Sequence, residues 1–160
     1  VLLLKLSDLL RYSVYDAKEL FVPLKNELEY INNYIDFEKI RIGDRLVLST
    51  SIEPVTDDRI KIAPMLLIVF IENAFKHSKN TLEKEVFIDI TLKTWGDSIL
   101  FSVKNSYSGT ANENNRLRTD NGLGLVNVRK RLQLLYVEAY DLKVTSEEGF
   151  FTVMLQLKMM

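Results

Sequence analysis

The spacing of apolar residues changes along this chain, and that change limits the possible folds more than any other feature of the sequence. Apolar residues recur at helical spacing over Leu2–Ala17, and again from Pro23 until Gly43 ends the pattern. Over Val86–Trp95 they occupy alternate positions, and the alternation resumes beyond the turn at Gly96-Asp97. The chain is therefore predicted to combine amphipathic helices with a β-hairpin, which is an α/β (α+β) fold.

The remaining segments complete the predicted order of elements. Arg45–Ile52 and the run at Ile60–Ile62 predict either two short strands or one strand and a loop. A buried helix is predicted over Pro64–Ser78, because the segment is apolar on nearly all sides. Another helix is predicted over Gly122–Tyr136, and a last hairpin is predicted to turn near Glu148-Gly149.

The composition excludes several classes of function. The 160-residue chain carries 21 Lys and Arg against 22 Asp and Glu, so its net charge of -1 does not favour electrostatic binding of nucleic acid or of an anionic membrane. The chain has no cysteine, so disulfides, thiolate nucleophiles and zinc–thiolate sites are excluded. A reducing, cytoplasmic environment is expected.

The sequence predicts neither a membrane-spanning segment nor a signal peptide. The longest apolar stretch, Ile62–Ile71, is interrupted by Pro64 and is far shorter than the roughly 18 to 20 residues that a spanning helix requires. Val1 does not open the basic and then apolar pattern of a signal peptide. Since the first residue is not methionine, we expect the chain to be a fragment of a longer protein.

Three separate motifs together indicate a nucleotide site. Gly122 and Gly124 open a predicted helix, where backbone N–H groups and the helix dipole favour a phosphate. Asn73, at the polar end of the buried helix, offers an oxygen of the type that Mg²⁺ prefers, and Lys76 lies one turn further on. The polar segment Ser106–Asn121 predicts a long loop that serves as a lid.

Each of these residues also has a purely structural interpretation when it is considered alone. A lone Gly-x-Gly is often a turn, and Lys76 and His77 are favoured at a helix end by the dipole and by backbone carbonyls. Asn105 can end a strand, and Arg129 can lie on the solvated face of a helix. The order and spacing of the motifs favour a nucleotide site over these separate interpretations.

The motifs resemble those of a known family. Glu72–His77 resembles the asparagine box of the GHKL ATP-binding fold, which is shared by histidine kinases, type II topoisomerases, Hsp90 chaperones and mismatch-repair ATPases. Gly122–Leu132 resembles the second glycine box in the form used by LytS-like sensor histidine kinases. Leu6–Ser13, Val22–Leu24 and Glu27–Tyr30 are similar to the junction between dimerisation helix and catalytic domain in that group.

The resemblance implies a two-layer sandwich in which helices cover one face of a mixed β-sheet, with the ATP site between the helices and the polar loop. Residues 1–20 would be a remnant of the dimerisation and phosphoacceptor helix, and residues 21–160 the ATP-binding catalytic domain. The intact protein would be a homodimer anchored in the inner membrane, with this domain in the cytoplasm. It would phosphorylate its own histidine and pass the phosphoryl group to a response regulator. That histidine would lie upstream of Val1, so the fragment is expected to bind nucleotide without phosphorylating itself.

The resemblance also implies roles for individual residues. Asn73 would hold Mg²⁺ between the ATP phosphates, with Lys76 and His77 near the phosphates or the lid. Asn105 would accept a hydrogen bond from the adenine amino group, and Thr152 lies near the position of a late threonine of the family. The other nucleotide contacts are expected from Gly122, Leu123, Gly124, Leu125 and Arg129.

The sequence departs from the family pattern at the adenine end of the implied site. Asn105 stands where the family usually has an aspartate, so its hydrogen bond to adenine would lack a charge. The usual Asp-x-Gly-x-Gly of the first glycine box is replaced by Asn105–Gly109. Phe150 and Phe151 replace the usual glycine-threonine context before Thr152.

A further departure concerns hydrolysis. GHKL proteins that hydrolyse ATP carry a carboxylate four residues before the asparagine, and here that position is Val69, which cannot take a proton. Glu72 points roughly 100 degrees away from Asn73 around the helix, so it is expected to support Asn73 rather than to act as a base. Efficient hydrolysis of ATP is therefore not expected.

Two other functional hypotheses stay open at this stage. A GHKL fold that no longer holds ATP would serve as a non-catalytic interaction module; Asn105 favours this hypothesis, whereas Asn73, Lys76 and Gly122-x-Gly124 oppose it. A free-standing serine kinase of the anti-sigma type would explain the absent histidine. The helix predicted at Leu6–Ser13 argues against that hypothesis, because such proteins need no stalk.

Overall fold

The computed structural model describes residues 2–14, 18–79, 84–107 and 122–159. Nearly all of the predicted lid, and the end of the first predicted helix at residues 15–17, lie outside the described residues. Within them the helices are α1 (Leu2–Val14), α2 (Leu24–Ile42), α3 (Ile68–Lys79) and α4 (Gly122–Leu135). The strands are β1 (Val22–Pro23), β2 (Leu46–Ile52), β3 (Lys61–Ile62), β4 (Val86–Trp95), β5 (Ser98–Ser106), β6 (Tyr140–Glu147) and β7 (Phe150–Lys158).

Five of the strands form one mixed sheet in the order β2-β4-β5-β7-β6. β2 runs parallel to β4, and every other neighbouring pair in the sheet is antiparallel. β1 and β3 pair separately as a small antiparallel ribbon. The segment after α2 therefore forms two short strands, and these belong to different sheets.

One face of the five-stranded sheet is covered by helices. Side chains at alternate positions of β4 and β5 are buried, including Ile88, Ile90, Phe101 and Val103. The intervening positions, such as Phe87, face away from the core. α3 packs against β4 and β5, as expected for a two-layer α+β sandwich, and the predicted fold is confirmed.

Local sequence explains several boundaries. Pro23, with φ of -55°, precedes α2, and Gly43, with φ of 71°, ends it, as predicted. The last hairpin turns at Glu148-Gly149, where φ is 54° and 78°. Two consecutive positive φ values match the right-handed twist of paired strands, which explains why a glycine occupies this turn.

The predicted helix start at Pro64 is wrong, because α3 begins at Ile68. Met65 has φ of 58°, which lies in the left-handed region and cannot belong to a right-handed helix. Its N–H donates to a carboxylate oxygen of Glu27 at 2.9 Å, and its carbonyl accepts from Arg131 at 3.2 Å. Contacts that are distant in sequence therefore hold residues 64–67 as a turn.

α1 lies against α2. Leu9 and Tyr12 are buried in this contact, and the rings of Tyr12 and Tyr30 are 5.0 Å apart. Lys5 and Asp36 form an ion pair of 2.9 Å across the same two helices. None of the helices in the described ranges is long and apolar enough to cross a membrane.

Candidate functional site

α3 and the first turn of α4 meet at Asn73 and Gly124. A Cβ atom on Gly124 would lie 3.8 Å from both amide atoms of Asn73 and 3.6 Å from Cγ1 of Val69. Because glycine has no Cβ atom, the backbone of α4 can lie close to the Asn73 amide. The structure thus brings together two of the predicted site residues that are distant in sequence.

The amide of Asn73 is not fully hydrogen-bonded within the protein. Its Nδ2 atom is buried and has no hydrogen-bond partner among the described residues. A buried polar atom without a partner costs about 1–3 kcal/mol, so a site that keeps such an atom needs a reason. The same amide carries an oxygen, which is the ligand type that Mg²⁺ prefers. The residues therefore fit a metal–phosphate group bound beside Gly124.

The described part of the chain holds no group of three or more His, Asp or Glu side chains that could ligate a metal ion. A Mg²⁺ ion at Asn73 would thus take its other ligands from phosphates and water, as this ion commonly does. Val69 lines the site with a methyl group and offers no proton acceptor there.

The neighbours of Asn73 on α3 point in different directions. Lys76 is exposed, three residues after Asn73 on the same helix. Glu72 is exposed overall, but partial desolvation of its carboxyl group, and then the nearby Glu38 of α2, raise its pKa. Burial, with smaller effects of Glu72 and Glu27, raises the pKa of Tyr30 to about 12. The carboxyl group of Glu72 therefore interacts electrostatically with side chains of α2.

His77, Phe151 and Asn105 mark the inner end of the site. His77 is buried one turn after Asn73, and its ring lies 5.8 Å from that of Phe151. Phe151 of β7 pairs with Asn105 of β5, and Asn105 is buried with its Nδ2 donating to the carbonyl of Ser106 at 3.1 Å. Asn105 therefore ends the row of inward-facing side chains on β5, on the face that the helices cover.

Thr152 is not brought together with the other predicted residues. It alternates with the buried residues Val153 and Leu155, and it pairs with Lys104 on the face of the sheet that points away from the helices. The inward position belongs to Phe151, which sequence reasoning did not select. The alternation of β7 is a signal that could have found it, since neighbouring residues of a strand face opposite sides.

The remaining predicted residues lie along α4. Gly122 opens the helix, Leu125 is half-buried, and Arg129 is exposed. Leu123 lies in the first turn of the same helix, and its side chain is outside the described part of the structure. Arg131 of the same helix turns into the protein and donates to the backbone carbonyls of Pro64 and Met65.

Comparison with known proteins agrees with this geometry. A family model described as the GHKL domain matches residues 60–158, and a histidine kinase model matches residues 1–46. The sensor protein LytS of Staphylococcus epidermidis is 26% identical over 160 residues, which cover 95% of this chain and 27% of that relative. The sensor histidine kinase YpdA of Escherichia coli is 29% identical over 89% of this chain and 26% of its own length. The chain thus spans about a quarter of the curated relatives it matches.

A solved structure shows the same fold. The histidine kinase domain of the blue-light activated kinase EL346 from Erythrobacter litoralis superposes with a TM-score of 0.63 at 15% identity, covering 98% of this chain and 72% of that one. The GHKL model matches more than half of the chain. The matched region includes the two helices that bring Asn73 next to Gly124. The chain therefore belongs to the GHKL family, as a catalytic domain of the sensor histidine kinase type.

Proposed function

We propose that this domain binds Mg-ATP between α3 and α4 and presents it to a histidine elsewhere in the intact protein. The observation that carries the proposal is the buried, unpartnered amide nitrogen of Asn73, which lies beside Gly124 at the start of α4. An amide beside the first turn of a helix is suited to a metal–phosphate group, since the helix end favours the anion.

The proposed roles follow from where the residues lie. The Asn73 oxygen would hold Mg²⁺, which neutralises phosphate charge, and Lys76 would add a positive charge on the same helix. The backbone N–H groups of Gly122–Leu125 would bind phosphate oxygens at the start of α4. Asn105 would accept from the adenine amino group, with the buried His77 beside it, while Arg129 is available at the outer surface.

The chemistry needed from the protein is mainly positioning. Phosphoryl transfer requires an aligned acceptor and stabilised charge, and little covalent help. Val69 provides no base for water, so the arrangement favours transfer to a protein acceptor over hydrolysis. Full-length ShkA in complex with AMPPNP has a similar structure, with a TM-score of 0.59 at 19% identity over 99% of this chain and 35% of that one. The nucleotide analogue bound to that protein supports a nucleotide ligand here.

The partners proposed for the intact protein are its own dimerisation and phosphoacceptor domain and a response regulator. Residues 1–20 would be the end of the dimerisation helix and its linker, attached to the catalytic domain through α1 and α2. We also propose that the intact protein is a membrane-anchored homodimer with this domain in the cytoplasm. The similarity to LytS and YpdA, whose names describe sensor proteins, supports these assignments.

A non-catalytic interaction module is the second candidate. Phe151 occupies the inward position next to Asn105, and its ring lies 5.8 Å from His77. A bulky ring at this place reduces the room for a base, which favours loss of ATP binding. The amide of Asn73 opposes this candidate, because a module without a ligand gains nothing from a buried amide without a partner.

Calorimetric titration of Mg-ATP into the fragment separates the two candidates. The proposal predicts binding that weakens at least tenfold in Asn73→Ala and an excess of GTP that does not compete. Asn32→Ala, at an exposed position of α2, is the matched control and is expected to bind like the wild type. Absence of binding by the wild-type fragment at millimolar ATP would favour the interaction module.

A further inference from the structure

The turn that precedes α3 is held by hydrogen bonds from three directions. The N–H of Ala63 donates to the Tyr136 hydroxyl at 2.8 Å. The N–H of Met65 donates to Oε1 of Glu27 at 2.9 Å. The guanidinium of Arg131 donates to the carbonyls of Pro64 at 2.7 Å and of Met65 at 3.2 Å. Side chains from α2, from α4 and from the residue after α4 thus fix residues 63–65.

The turn needs this support because its backbone is unfavourable. Met65 has φ of 58°, and a residue other than glycine holds such a conformation only where its surroundings fix it. The Met65 N–H and carbonyl are both engaged by side chains from other elements. The direction in which α3 leaves the turn therefore depends on Glu27 and Arg131.

Glu27 also connects this turn to α1. Its carboxylate is fully buried, and the Oε1 atom that binds Met65 also accepts a hydrogen bond from the Tyr12 hydroxyl of α1. Its Oε2 atom has no hydrogen-bond partner among the described residues. A buried carboxylate is costly, and an apolar side chain of similar size would pack in its place without that cost. What an apolar residue would lose is the link between Tyr12 and Met65.

We propose that Glu27 and Arg131 are positioning residues, which fix the turn at residues 63–65 and so set Asn73 against Gly124. Tyr12 makes this turn sensitive to the docking of α1. The geometry gives the reason: Asn73 and Gly124 lie on α3 and α4, and the Arg131 hydrogen bonds tie α4 to the turn from which α3 starts. The consequence for nucleotide affinity rests on the proposed function, whereas the consequence for the turn does not.

The test is hydrogen exchange in the absence of nucleotide. Tyr12→Phe removes the hydroxyl that bonds Glu27 and leaves the ring in place. We expect amides in residues 66–73 and 126–133 to exchange about fivefold faster in this variant, because loss of one buried hydrogen bond changes local opening by that order. Faster exchange confined to α1 would overturn the proposal.

Two further variants control this experiment. Lys5→Ala removes a different polar contact between α1 and α2, the ion pair of Lys5 with Asp36, without touching Glu27. We expect it to speed exchange in α1 alone; an equal effect at residues 66–73 would overturn a specific role for Tyr12. Glu27→Gln keeps an acceptor oxygen, so it should retain most of the protection that Glu27→Ala loses, and equal losses would contradict the hydrogen-bond link.

Calorimetry then addresses the site itself. Tyr12→Phe is expected to raise the Kd for Mg-ATP about fivefold while Lys5→Ala leaves it unchanged. An unchanged Kd in Tyr12→Phe would overturn the positioning role even if exchange in the turn were faster. A wild-type fragment that binds no ATP would refute the proposed function, and the exchange experiment would still decide whether Tyr12 and Glu27 hold the turn.

Discussion

Gly124 presents no side chain to the Asn73 amide, which lies next to the first turn of α4. An alanine Cβ at this position would meet Val69 at 3.6 Å and the Asn73 amide at 3.8 Å, which are ordinary contact distances. Among the described residues a methyl group there meets its nearest neighbours at ordinary distances, and the volume it takes lies next to the amide proposed to bind the ligand.

We therefore expect Gly124→Ala to separate stability from binding. Alanine is favoured over glycine within a helix by about 1 kcal/mol, so the free energy of unfolding should be unchanged or higher. Affinity for Mg-ATP should fall at least tenfold, because the methyl group occupies the space next to the amide. Urea denaturation and calorimetry on the same sample measure both quantities. Unchanged affinity would show that the ligand does not approach α4 at Gly124.

The raised pKa of Glu27 is expected to make the stability of the protein depend on pH. Burial raises the pKa of Glu27 above its ordinary value of 4.5, against the opposing effects of Tyr12, Met65 and Arg131. The folded protein therefore binds a proton that the unfolded chain has released in the pH range above 4.5. The protonated Glu27 side chain therefore makes its full contribution to stability below pH 4.5. That contribution is lost as the pH rises through the raised pKa of the folded protein.

We expect the free energy of unfolding of Glu27→Gln to fall less than that of the wild type as the pH rises above about 4.5. Glu72 is the matched comparison: its pKa is raised in the same direction, but its side chain is exposed, so Glu72→Gln should flatten the profile less. Urea denaturation at several pH values measures the slopes. A Glu27→Gln profile parallel to that of the wild type would contradict the raised pKa.

At the scale of elements, the last hairpin contains an avoidable strain. Glu148 has φ of 54° next to Gly149, a turn in which asparagine is the preferred first residue. Glu148→Asn is therefore expected to stabilise the protein by about 0.5–1 kcal/mol. Glu147→Asn, in the adjacent strand position, should give no gain. Equal effects of the two changes on urea denaturation would show that the turn conformation is not the cause.

Alternation of apolar residues was enough to predict both hairpins, because a strand repeats every second residue and a turn glycine fixes where it ends. The start of α3 was not predictable from Pro64, since Glu27 and Arg131 hold Met65 outside the helical conformation. The position of Thr152 depends on strand register, in which a shift of one residue reverses the face.

The sequence also contains a pattern that predicts the burial of Glu27. Glu27 lies between Leu24 and Leu28 on the apolar face of α2, and a charged residue at such a position is often buried and paired. Arg131 had no comparable signal, because it belongs to a basic run that includes the exposed Arg129. The approach of Asn73 to Gly124 followed only from the family resemblance, since local patterns do not specify which helices meet.

At the scale of the whole molecule, α1 leaves an apolar surface uncovered. Leu9 is buried against α2, whereas Leu2, Leu3, Leu4 and Leu6 are exposed. Leu3 and Leu4 expose 81% and 70% of their surface, and exposed leucines grouped on one helix are the kind of apolar patch that another molecule can cover.

The chain is therefore expected to self-associate through α1 as its concentration rises. Leu3→Lys combined with Leu4→Lys should make it monomeric in sedimentation experiments, because charged side chains oppose burial of this face. Leu134→Lys is the control, since Leu134 is as exposed as Leu3, at 79%, but lies on α4. Association that persists in the double variant would show that another surface is responsible.

The proposed function depends above all on Asn73 holding Mg²⁺ against the phosphates of ATP. The most direct measurement is calorimetry with ATP in the presence of Mg²⁺ and in the presence of EDTA, for the wild type and for Asn73→Ala. We expect Mg²⁺ to strengthen ATP binding by the wild type at least tenfold and to have little effect on ATP binding by Asn73→Ala. An equal gain from Mg²⁺ in both proteins would contradict this expectation, because the metal would then be held without Asn73.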